Sequence, residues 1–254
     1  MGALRRIARL QSGGTGRVLS KIRDAVRMFG PWDGILFLAG QALSRVSGGR
    51  ARLAKYYIVA QPVPTESDAR LRRGGSIEVR RLEPAEVRAL SWPRPQPVIE
   101  RRLAEGAVCM AAFSKGRMIG FQWLSLGPYE EDDVRTRFDP SPAGRAAWDY
   151  DIFVDPDHRL GRAFVRLWDA TNLFLRERGI PWSMSRISAF APESRRSHAS
   201  MEAVRIGTCL YLCVGSLQLS FLSRAPWMHV GFSSARRPVF RAEAPDERDG
   251  PVGG

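Results

Sequence analysis

The sequence predicts an α/β domain of the α+β kind, in which a mixed, mostly antiparallel central sheet is flanked by helices and preceded by a helical N-terminal extension. Runs typical of strands are interspersed with amphipathic runs typical of helices between residues 76 and 222. A strand, a glycine-bearing turn and a helix follow one another at the centre, over residues 148–178. Mixed strands with crossover helices pack as a sheet covered by helices, and the hydrophobic share of 44% is enough for a core.

The predicted organisation has three parts: a basic helical extension over residues 1–55, one domain over 56–232 and a disordered tail over 233–254. Residues 1–56 hold eleven Lys and Arg against two acids. That excess of positive charge favours an anionic partner for the extension. The tail is charged, rich in Pro and Gly and short of large apolar residues, and such a composition predicts disorder.

Two helices are predicted in the extension, because apolar residues recur at helical spacing on both sides of Gly30-Pro31. A basic amphipathic helix followed by an apolar one could lie on an anionic membrane surface, through residues 1–50. The same pattern is also typical of a cap that packs on the downstream domain. The sequence leaves both interpretations open.

Nine strands are predicted from alternating or β-branched runs, and the helices of the domain from amphipathic ones. The strands are 56–60, 76–82, 107–113, 118–126, 148–154, 180–190, 205–214, 216–222 and 227–232. The helices are one that opens at 83–86 and those at 98–104, 163–178 and 192–204. An acidic loop at 127–133 could receive a cationic amine or stand as an ordinary solvated loop.

The cysteines Cys109, Cys209 and Cys213 predict neither a disulfide nor a metal site. Cys209 and Cys213 would lie about 13 Å apart on one face of a strand, too far to bridge or to share zinc. Unpaired thiols fit a reducing compartment, and no apolar run approaches the roughly 20 residues of a spanning helix. We therefore expect a cytoplasmic protein, with peripheral attachment to the inner face of the membrane as an alternative. Nucleic acid is not expected as a partner, because no aromatic-interleaved patch accompanies the basic arm.

The central turn, residues 158–163, is predicted to bind an anion because it follows a strand and opens a helix. Successive N–H groups over residues 160–163 can converge on a pyrophosphate, and the helix N-terminus adds partial positive charge. Gly161 lets the backbone approach closely because it lacks a Cβ. Arg159 and Arg162 can bind phosphate oxygens.

This arrangement resembles the GNAT acyltransferase superfamily over roughly residues 76–222. Val154-Asp155-Pro156 is similar to the superfamily's Val-x-Pro motif. The turn is similar to its Gln/Arg-x-x-Gly-x-Gly/Ala motif, with His158 where Gln or Arg is usual. The resemblance implies that acetyl-CoA or another acyl-CoA binds as co-substrate, with no metal. The binding residues it implies are Ile152, Phe153, Val154, Arg159, Leu160, Gly161, Arg162, Ala163 and Ser194.

A second segment, residues 191–202, is similar to the superfamily's Asn-x-x-Ser/Ala-x-x-x-Tyr/His-x-x-x-Gly pattern. Ser194 and His198 match it, whereas Ala191 and Glu202 replace the usual Asn and Gly. The resemblance implies that His198 protonates the leaving thiolate, and its reference pKa of about 6.5 suits that role. The alternative is that His198 caps or packs a helix.

Acyl transfer to an amine needs a base within hydrogen-bond reach. Asp149 and Asp151 lie two residues apart on the central strand, so they are expected on one face, about 6.6 Å apart, where each would raise the pKa of the other. Asp149 is the first candidate base and Asp151 the second. Both could instead be structural, bound to Arg or to loop N–H groups.

The function predicted is therefore acyl-CoA-dependent N-acyl transfer, from acetyl-CoA to a small-molecule amine acceptor that attacks the thioester directly. One alternative takes a longer acyl group from CoA or acyl carrier protein at the membrane surface. The other is a non-catalytic module that keeps the fold and binds CoA or a partner; Ala191 and Glu202 favour it.

Overall fold

The structure, a computed structural model, describes residues 15–66, 77–158, 162–233 and 235–245. Its helices are α1 (Thr15–Phe29), α2 (Pro31–Val46), α3 (Pro84–Ala89), α4 (Gln96–Ala104), α5 (Ala163–Arg176) and α6 (Pro192–Ala199). Its strands are β1 (Ala51–Pro62), β2 (Ile77–Leu82), β3 (Val108–Ser114), β4 (Arg117–Ser125), β5 (Tyr129–Glu130), β6 (Arg137–Ser141), β7 (Ala146–Val154), β8 (Trp182–Ser188), β9 (Val204–Val214), β10 (Leu217–Leu222), β11 (Met228–Gly231) and β12 (Val239–Glu243).

The strands form two sheets. Among the described residues, nine strands make one sheet in the order β11-β10-β9-β1-β8-β7-β4-β3-β2, and three make a smaller one in the order β12-β6-β5. Every pairing in the large sheet is antiparallel except that of β7 with β8. The predicted fold class, a mixed and mostly antiparallel sheet flanked by helices, is confirmed.

Strand β1 lies inside the large sheet, between β8 and β9. Its sequence is rich in aromatic and β-branched residues, which suit a strand buried on both faces, and Ile58 and Ala60 are fully buried. The strand begins at Ala51, so the predicted boundary between residues 55 and 56 falls within it. The segment after the N-terminal helices is thus an interior strand of the domain.

The core lies on both faces of the large sheet. On one face, Leu167 and Leu175 of α5 pack against the sheet, because α5 carries its apolar residues along one side. On the other face, Trp123 and Trp148 are fully buried in a cluster that includes Phe138 of the small sheet. The two clusters fix β4 and β7 from both sides.

The prediction of a disordered tail is wrong for Val239–Glu243, which forms β12. β12 pairs in parallel with β6, and Phe240 and Ala242 are fully buried. Burial of an aromatic ring and a backbone ladder offset the low hydrophobicity of the surrounding sequence. Of the remaining tail, residues 246–254 lie outside the described residues.

Helices α1 and α2 form a hairpin that is attached to the sheet, as the cap interpretation expects. Asp33 is buried and accepts hydrogen bonds from Lys55, at 2.6 Å, and from the Tyr57 hydroxyl, both on β1. The rings of Phe29 and Phe37 lie 4.7 Å apart and both contact Phe190, beyond the end of β8. No helix among the described residues is long and apolar enough to cross a membrane.

Candidate active site

A V-shaped opening forms where β7 and β8 diverge. The two strands pair only over residues 146–148 of β7 and 182–184 of β8. Beyond these pairs β7 continues to Val154 against β4, and β8 continues to Ser188 against β1. Among the described residues, the inner edges of residues 149–153 on β7 and 185–188 on β8 therefore have no strand partner, at the place where the sequence predicted the acyl-donor site.

Asp149 is the first residue of β7 beyond the paired part. Its carboxylate accepts a hydrogen bond of 2.8 Å from the Ser183 hydroxyl and another from Ser185, both on β8. These side-chain bonds join the strands where backbone pairing has stopped. Burial raises the pKa of Asp149 to about 7, against the lowering effect of the two serine hydroxyls. Asp149 can therefore both hold and release a proton near neutral pH.

A cavity of about 680 Å³ lies beside the opening and is lined in part by Asp149, Tyr150 and Ile152. Four further acids and four arginines also line it. Each of those four acids is paired with arginine: Asp151 with Arg94 and Arg102, Asp132 with Arg101 and Arg102, and Glu131 and Asp133 with Arg186. Among the acids described in this lining, Asp149 alone has serines and no arginine as partners.

Asp151 does not stand beside Asp149 as a coupled carboxylate. Pairing between β4 and β7 shifts between Phe121 and Trp123, so that two residues of β7 stand opposite Gln122. Such a bulge breaks the strict alternation of side chains, and Asp151 has a φ of 48°.

The Asp151 carboxylate is held by Arg94 at 2.9 Å and by Arg102 at 2.6 Å. The expectation that the two aspartates share a face and raise each other's pKa is therefore wrong: burial, and not Asp151, raises the pKa of Asp149. Asp151 has the structural arginine contacts that the sequence left as its alternative role.

Arg102 organises the part of the cavity wall around Asp151. It is almost fully buried, and besides Asp151 it donates to Asp132 at 3.2 Å. Its guanidinium lies over the rings of Trp123 and Tyr150, at 5.3 and 5.1 Å from their centroids. Buried arginine needs such paired acids and aromatic faces to offset its desolvation.

The acidic loop is folded onto the domain and is not an ordinary solvated loop. Glu131 is buried and both of its carboxylate oxygens accept from Arg186, which also reaches Asp133 at 2.9 Å. Arg186 in turn lies over the Tyr56 ring. The loop's negative charge is therefore largely met by arginines of the same chain.

The predicted donor-binding residues follow the opening. Ile152 and Phe153 are partly buried on β7, with the Phe153 ring stacked on Phe121 at 5.3 Å, and Val154 is buried at the strand's end. Arg159, Leu160 and Gly161, which make up half of the predicted turn over residues 158–163, lie outside the described residues.

Helix α5 begins directly after that turn. Arg162 is its N-cap residue and makes no side-chain capping hydrogen bond, while Ala163 is fully buried at the first position of the helix. The N–H groups of a first turn without a side-chain cap are suited to an anion. Ser194 is exposed in the first turn of α6.

His198 is buried on α6 and packs edge-on against Trp168 of α5, with ring centroids 5.9 Å apart. Burial lowers the pKa of His198 to about 4. The imidazole is therefore uncharged at neutral pH and holds no imidazolium proton to give to a thiolate. Its contacts are those of the packing role that the sequence left open.

Several functional contacts were not predicted. Ser183 and Ser185 alternate with buried apolar residues on β8, and this polar stripe on a core strand is a pattern that could have indicated them. The pairing of Arg94 and Arg102 with Asp151 joins segments about fifty residues apart. No local pattern in the sequence indicates it.

No family model matches the chain, and no curated protein matches it. Several solved structures do. An aminoglycoside acetyltransferase from an uncultured soil metagenomic sample is 14% identical, with 50% of this chain and 88% of that chain covered and a TM-score of 0.36. A putative acetyltransferase of the GNAT family from Novosphingobium aromaticivorans is 16% identical, with 64% of each chain covered and a TM-score of 0.43.

A tandem GNAT protein from the clavulanic acid biosynthesis pathway is 13% identical, with 65% of this chain and 55% of that chain covered and a TM-score of 0.42. The solved structures that match therefore include proteins of the superfamily that the sequence motifs resemble. This is a resemblance of fold. Identities and TM-scores this low leave the activity of the chain to be argued from its own residues.

Proposed function

We propose that this chain is an acyl-CoA-dependent N-acyltransferase that transfers an acetyl group to a small-molecule amine, with Asp149 as its general base. One observation carries the proposal. A buried carboxyl with a pKa of about 7 and no arginine partner stands where two parallel strands diverge, beside a cavity of about 680 Å³. A base poised near the working pH is what proton removal from an attacking amine requires.

The inner edge of β7 supports binding of the donor. Backbone groups of a buried strand need hydrogen-bond partners, and over residues 149–153 that edge has no partner strand among the described residues. An extended arm that carries amides, as the pantetheine of CoA does, can supply such partners in the manner of an added strand. The first turn of α5, at Arg162 and Ala163, would hold the pyrophosphate, together with Arg159, Leu160 and Gly161.

The acyl-CoA would supply the acyl group as an activated thioester. The amine nitrogen bonds to the acyl carbon as the carbon–sulfur bond breaks, and the amine proton passes to the Asp149 carboxylate. The thiolate that leaves takes its proton from solvent, because His198 is uncharged at neutral pH. Asp149 then returns to its ionised form by releasing its proton to water.

The first experiment measures free-thiol release from acetyl-CoA with a panel of amines. The parent chain should release thiol only when an amine is present, and Asp149→Asn should lower the rate about 100- to 10,000-fold, the usual contribution of a general base. Asp139→Asn, on β6 of the small sheet, is the matched control and should keep the parent rate. Mass spectrometry of the product identifies the acceptor and the acyl length.

A thermal-shift titration with acetyl-CoA separates catalysis from binding alone. The parent and Asp149→Asn should both be stabilised, whereas Gly161→Glu should not, because a carboxylate in the turn repels the pyrophosphate. If the parent binds acetyl-CoA yet releases no thiol with any amine, the chain is the non-catalytic module. Absence of any shift in the parent would contradict the donor site itself.

A further inference from the structure

One side of α2 is an exposed apolar stripe. Trp32, Ile35, Ala39, Ala42 and Val46 follow one another at spacings of three and four residues, which places them along one side of a helix. All five are exposed: Trp32 by 78%, Ile35 by 53% and Val46 by 90%. A helix of a soluble domain normally turns such a stripe toward a core. Here α2 uses its other side, with Asp33 and Gly34, for the contacts with α1 and β1.

A second apolar surface lies on β9, β10 and β11, the three strands at one end of the large sheet. Residues directly opposite one another on paired strands lie on the same face. The register therefore gives two cross-strand rows of three apolar residues each. The rows are Leu212, Leu219, Val230 and Leu210, Phe221, Met228.

These rows are open to solvent, and the other face of the same strands is not. Phe221 is 43% exposed, Met228 63% and Val230 48%, whereas Tyr211 and Ser220 of the opposite face are fully buried. A contiguous exposed apolar patch of this kind typically marks a surface that binds a protein or a membrane.

The stripe and the rows belong to the same side of the sheet. Leu212 is paired with Leu53 of β1, so the two side chains share a face. A Cβ built on Gly40 of α2 would lie 3.3 Å from the Leu53 Cβ, so α2 rests on that face of β1. The apolar rows therefore continue the surface on which α2 lies.

The charge around this surface is mostly positive, with Asp24 of α1 as a half-buried acid within it. No acid occurs in residues 34–65, which hold four Lys and Arg, or in residues 203–232, which hold two Arg. On the hairpin, Arg23, Arg27 and Arg45 are exposed. The acid Asp33 is buried against Lys55 and offsets none of the exposed charge.

We propose that this side of the sheet, made by α1, α2 and the strands β9–β11, docks on an anionic lipid bilayer. Apolar side chains would enter the interface and the arginines would meet the lipid phosphates, as in amphipathic surface helices that carry aromatic and basic residues. A second copy of the chain fits less well, because it would bring two surfaces with the same excess of positive charge together. None of the residues in this surface is one that we propose for acyl transfer at the opening between β7 and β8.

The experiment is co-sedimentation of the full chain with phosphatidylcholine vesicles, with and without phosphatidylglycerol. We expect binding to the anionic vesicles only, and weaker binding at high salt. Vesicle binding should be abolished by a double variant in the stripe, Trp32→Glu with Ile35→Glu. It should also be abolished by a double variant in the rows, Phe221→Glu with Met228→Glu. Arg23→Gln with Arg27→Gln should weaken it about fivefold for each cation removed.

Matched controls lie on the small sheet. Val239→Glu, as exposed as Phe221 in the parent, and Arg137→Gln with Arg241→Gln should bind as the parent does. Circular dichroism of each variant confirms that it is folded. The proposal would be overturned if the parent sedimented equally with and without anionic lipid. It would also be overturned if the variants and the controls lost vesicle binding to the same extent. A third outcome would also overturn it: the parent binds no vesicles and forms a dimer in light scattering. In that case the dimer should dissociate in the variant that combines Trp32→Glu with Ile35→Glu. None of these readouts depends on acyl transfer.

Discussion

Asp149 owes its proton affinity to its neighbours. Asp151, two residues further along β7, is paired with Arg94 and Arg102. Asp149 is buried with only the hydroxyls of Ser183 and Ser185, so its pKa rises to about 7. Two aspartates two residues apart thus have different chemistry, and the proposed base is the one that lacks an ion pair.

The pH dependence of the chain should follow Asp149 in two opposite ways. The rate of thiol release should rise as Asp149 loses its proton through about pH 7, because only the carboxylate is a base. At Asp149 the native state should bind up to one more proton than the unfolded chain between about pH 4 and pH 7, since folding raises the pKa of this acid. The stability that Asp149 contributes should therefore fall as pH rises through that window.

Asp149→Asn tests both the rate profile and the stability profile, because an amide does not titrate. Chemical denaturation from pH 5 to pH 8 should show the parent losing roughly 1–4 kcal/mol of stability relative to Asp149→Asn as pH rises. His198, whose pKa folding lowers, adds an opposite trend that is the same in both proteins and cancels in the difference. Ser183→Ala removes a hydrogen bond to the carboxylate, and it should move the midpoint of the rate profile upward by about one pH unit or less. A midpoint that stays in place in Ser183→Ala would assign the titration to another group.

The sequence singled out Asp149 as the first candidate base, which stays a prediction, but it did not predict the surroundings of that carboxyl. Alternation along a strand was enough to single out the aspartates on β7, and the motif at Val154 was enough to place the opening beside them. The bulge opposite Gln122 was not predictable, because it depends on how β4 and β7 are paired. The role predicted for His198 follows from the resemblance of residues 191–202 to the superfamily pattern, whereas its burial against Trp168, which lowers its pKa, is a property of helix packing.

The strands that were predicted well are those whose own composition favours a strand. The strands that were missed are those that depend on pairing with distant parts of the chain. The nine strands of the large sheet have alternating or β-branched sequences, and each was predicted to within a few residues, apart from the early start of β1 at Ala51. Strands β5, β6 and β12 are short and lie among prolines and charges. The ladder of β12 with β6 joins residues about a hundred positions apart, as Phe240 does with Phe138, and β5 pairs with β6 at only two positions. Long-range pairing of this kind leaves no local pattern.

Strand β12 should matter for stability despite its place near the end of the chain. Phe240 is fully buried, in contact with the Phe138 ring and close to Gly207 of β9, where a Cβ would lie 2.5 Å from its Cζ. Phe240→Ala should cost about 3–5 kcal/mol of unfolding free energy, as for other buried aromatics. Denaturant titration measures it.

The neighbouring residue gives the control for β12. Val239→Ala changes an exposed side chain of the same strand, and it should alter the unfolding free energy by less than about 0.5 kcal/mol. Equal, small effects in Phe240→Ala and Val239→Ala would mean that β12 does not hold the small sheet to the domain. Equal, large effects would point to strand propensity and not to burial.

The two proposed sites lie on one sheet. Strand β1 connects them, since it pairs with β8 beside the opening and with β9 beside the apolar rows, and its Lys55 and Tyr57 hold Asp33 of the hairpin. A helical extension joined by a linker would move independently of the domain. Here the extension is attached at an interior strand, so a membrane that binds the hairpin would also orient the proposed catalytic opening.

The hairpin should depend on one close crossing of its helices, at Gly34. A Cβ there would lie 2.8 Å from the Val26 nitrogen and 2.9 Å from the Ala25 carbonyl, which are backbone atoms that cannot move aside alone. Gly34→Ala should therefore push α2 off α1 and cost about 1–3 kcal/mol, as overpacking does. Hydrogen exchange over residues 15–46 should speed up, and binding to anionic vesicles should weaken because the stripe and the arginines lose their common orientation.

Gly127→Ala is the matched change, since a Cβ at Gly127 would meet nothing within 4 Å. It should leave hydrogen exchange, vesicle binding and thiol release as in the parent. Thiol release should also survive in Gly34→Ala, because the crossing of α1 and α2 does not contact Asp149 or its serines. Faster exchange in the hairpin with unchanged vesicle binding would show that its two helices need not be held together to reach the lipid, and would leave the rows on β9–β11 as the surface that binds.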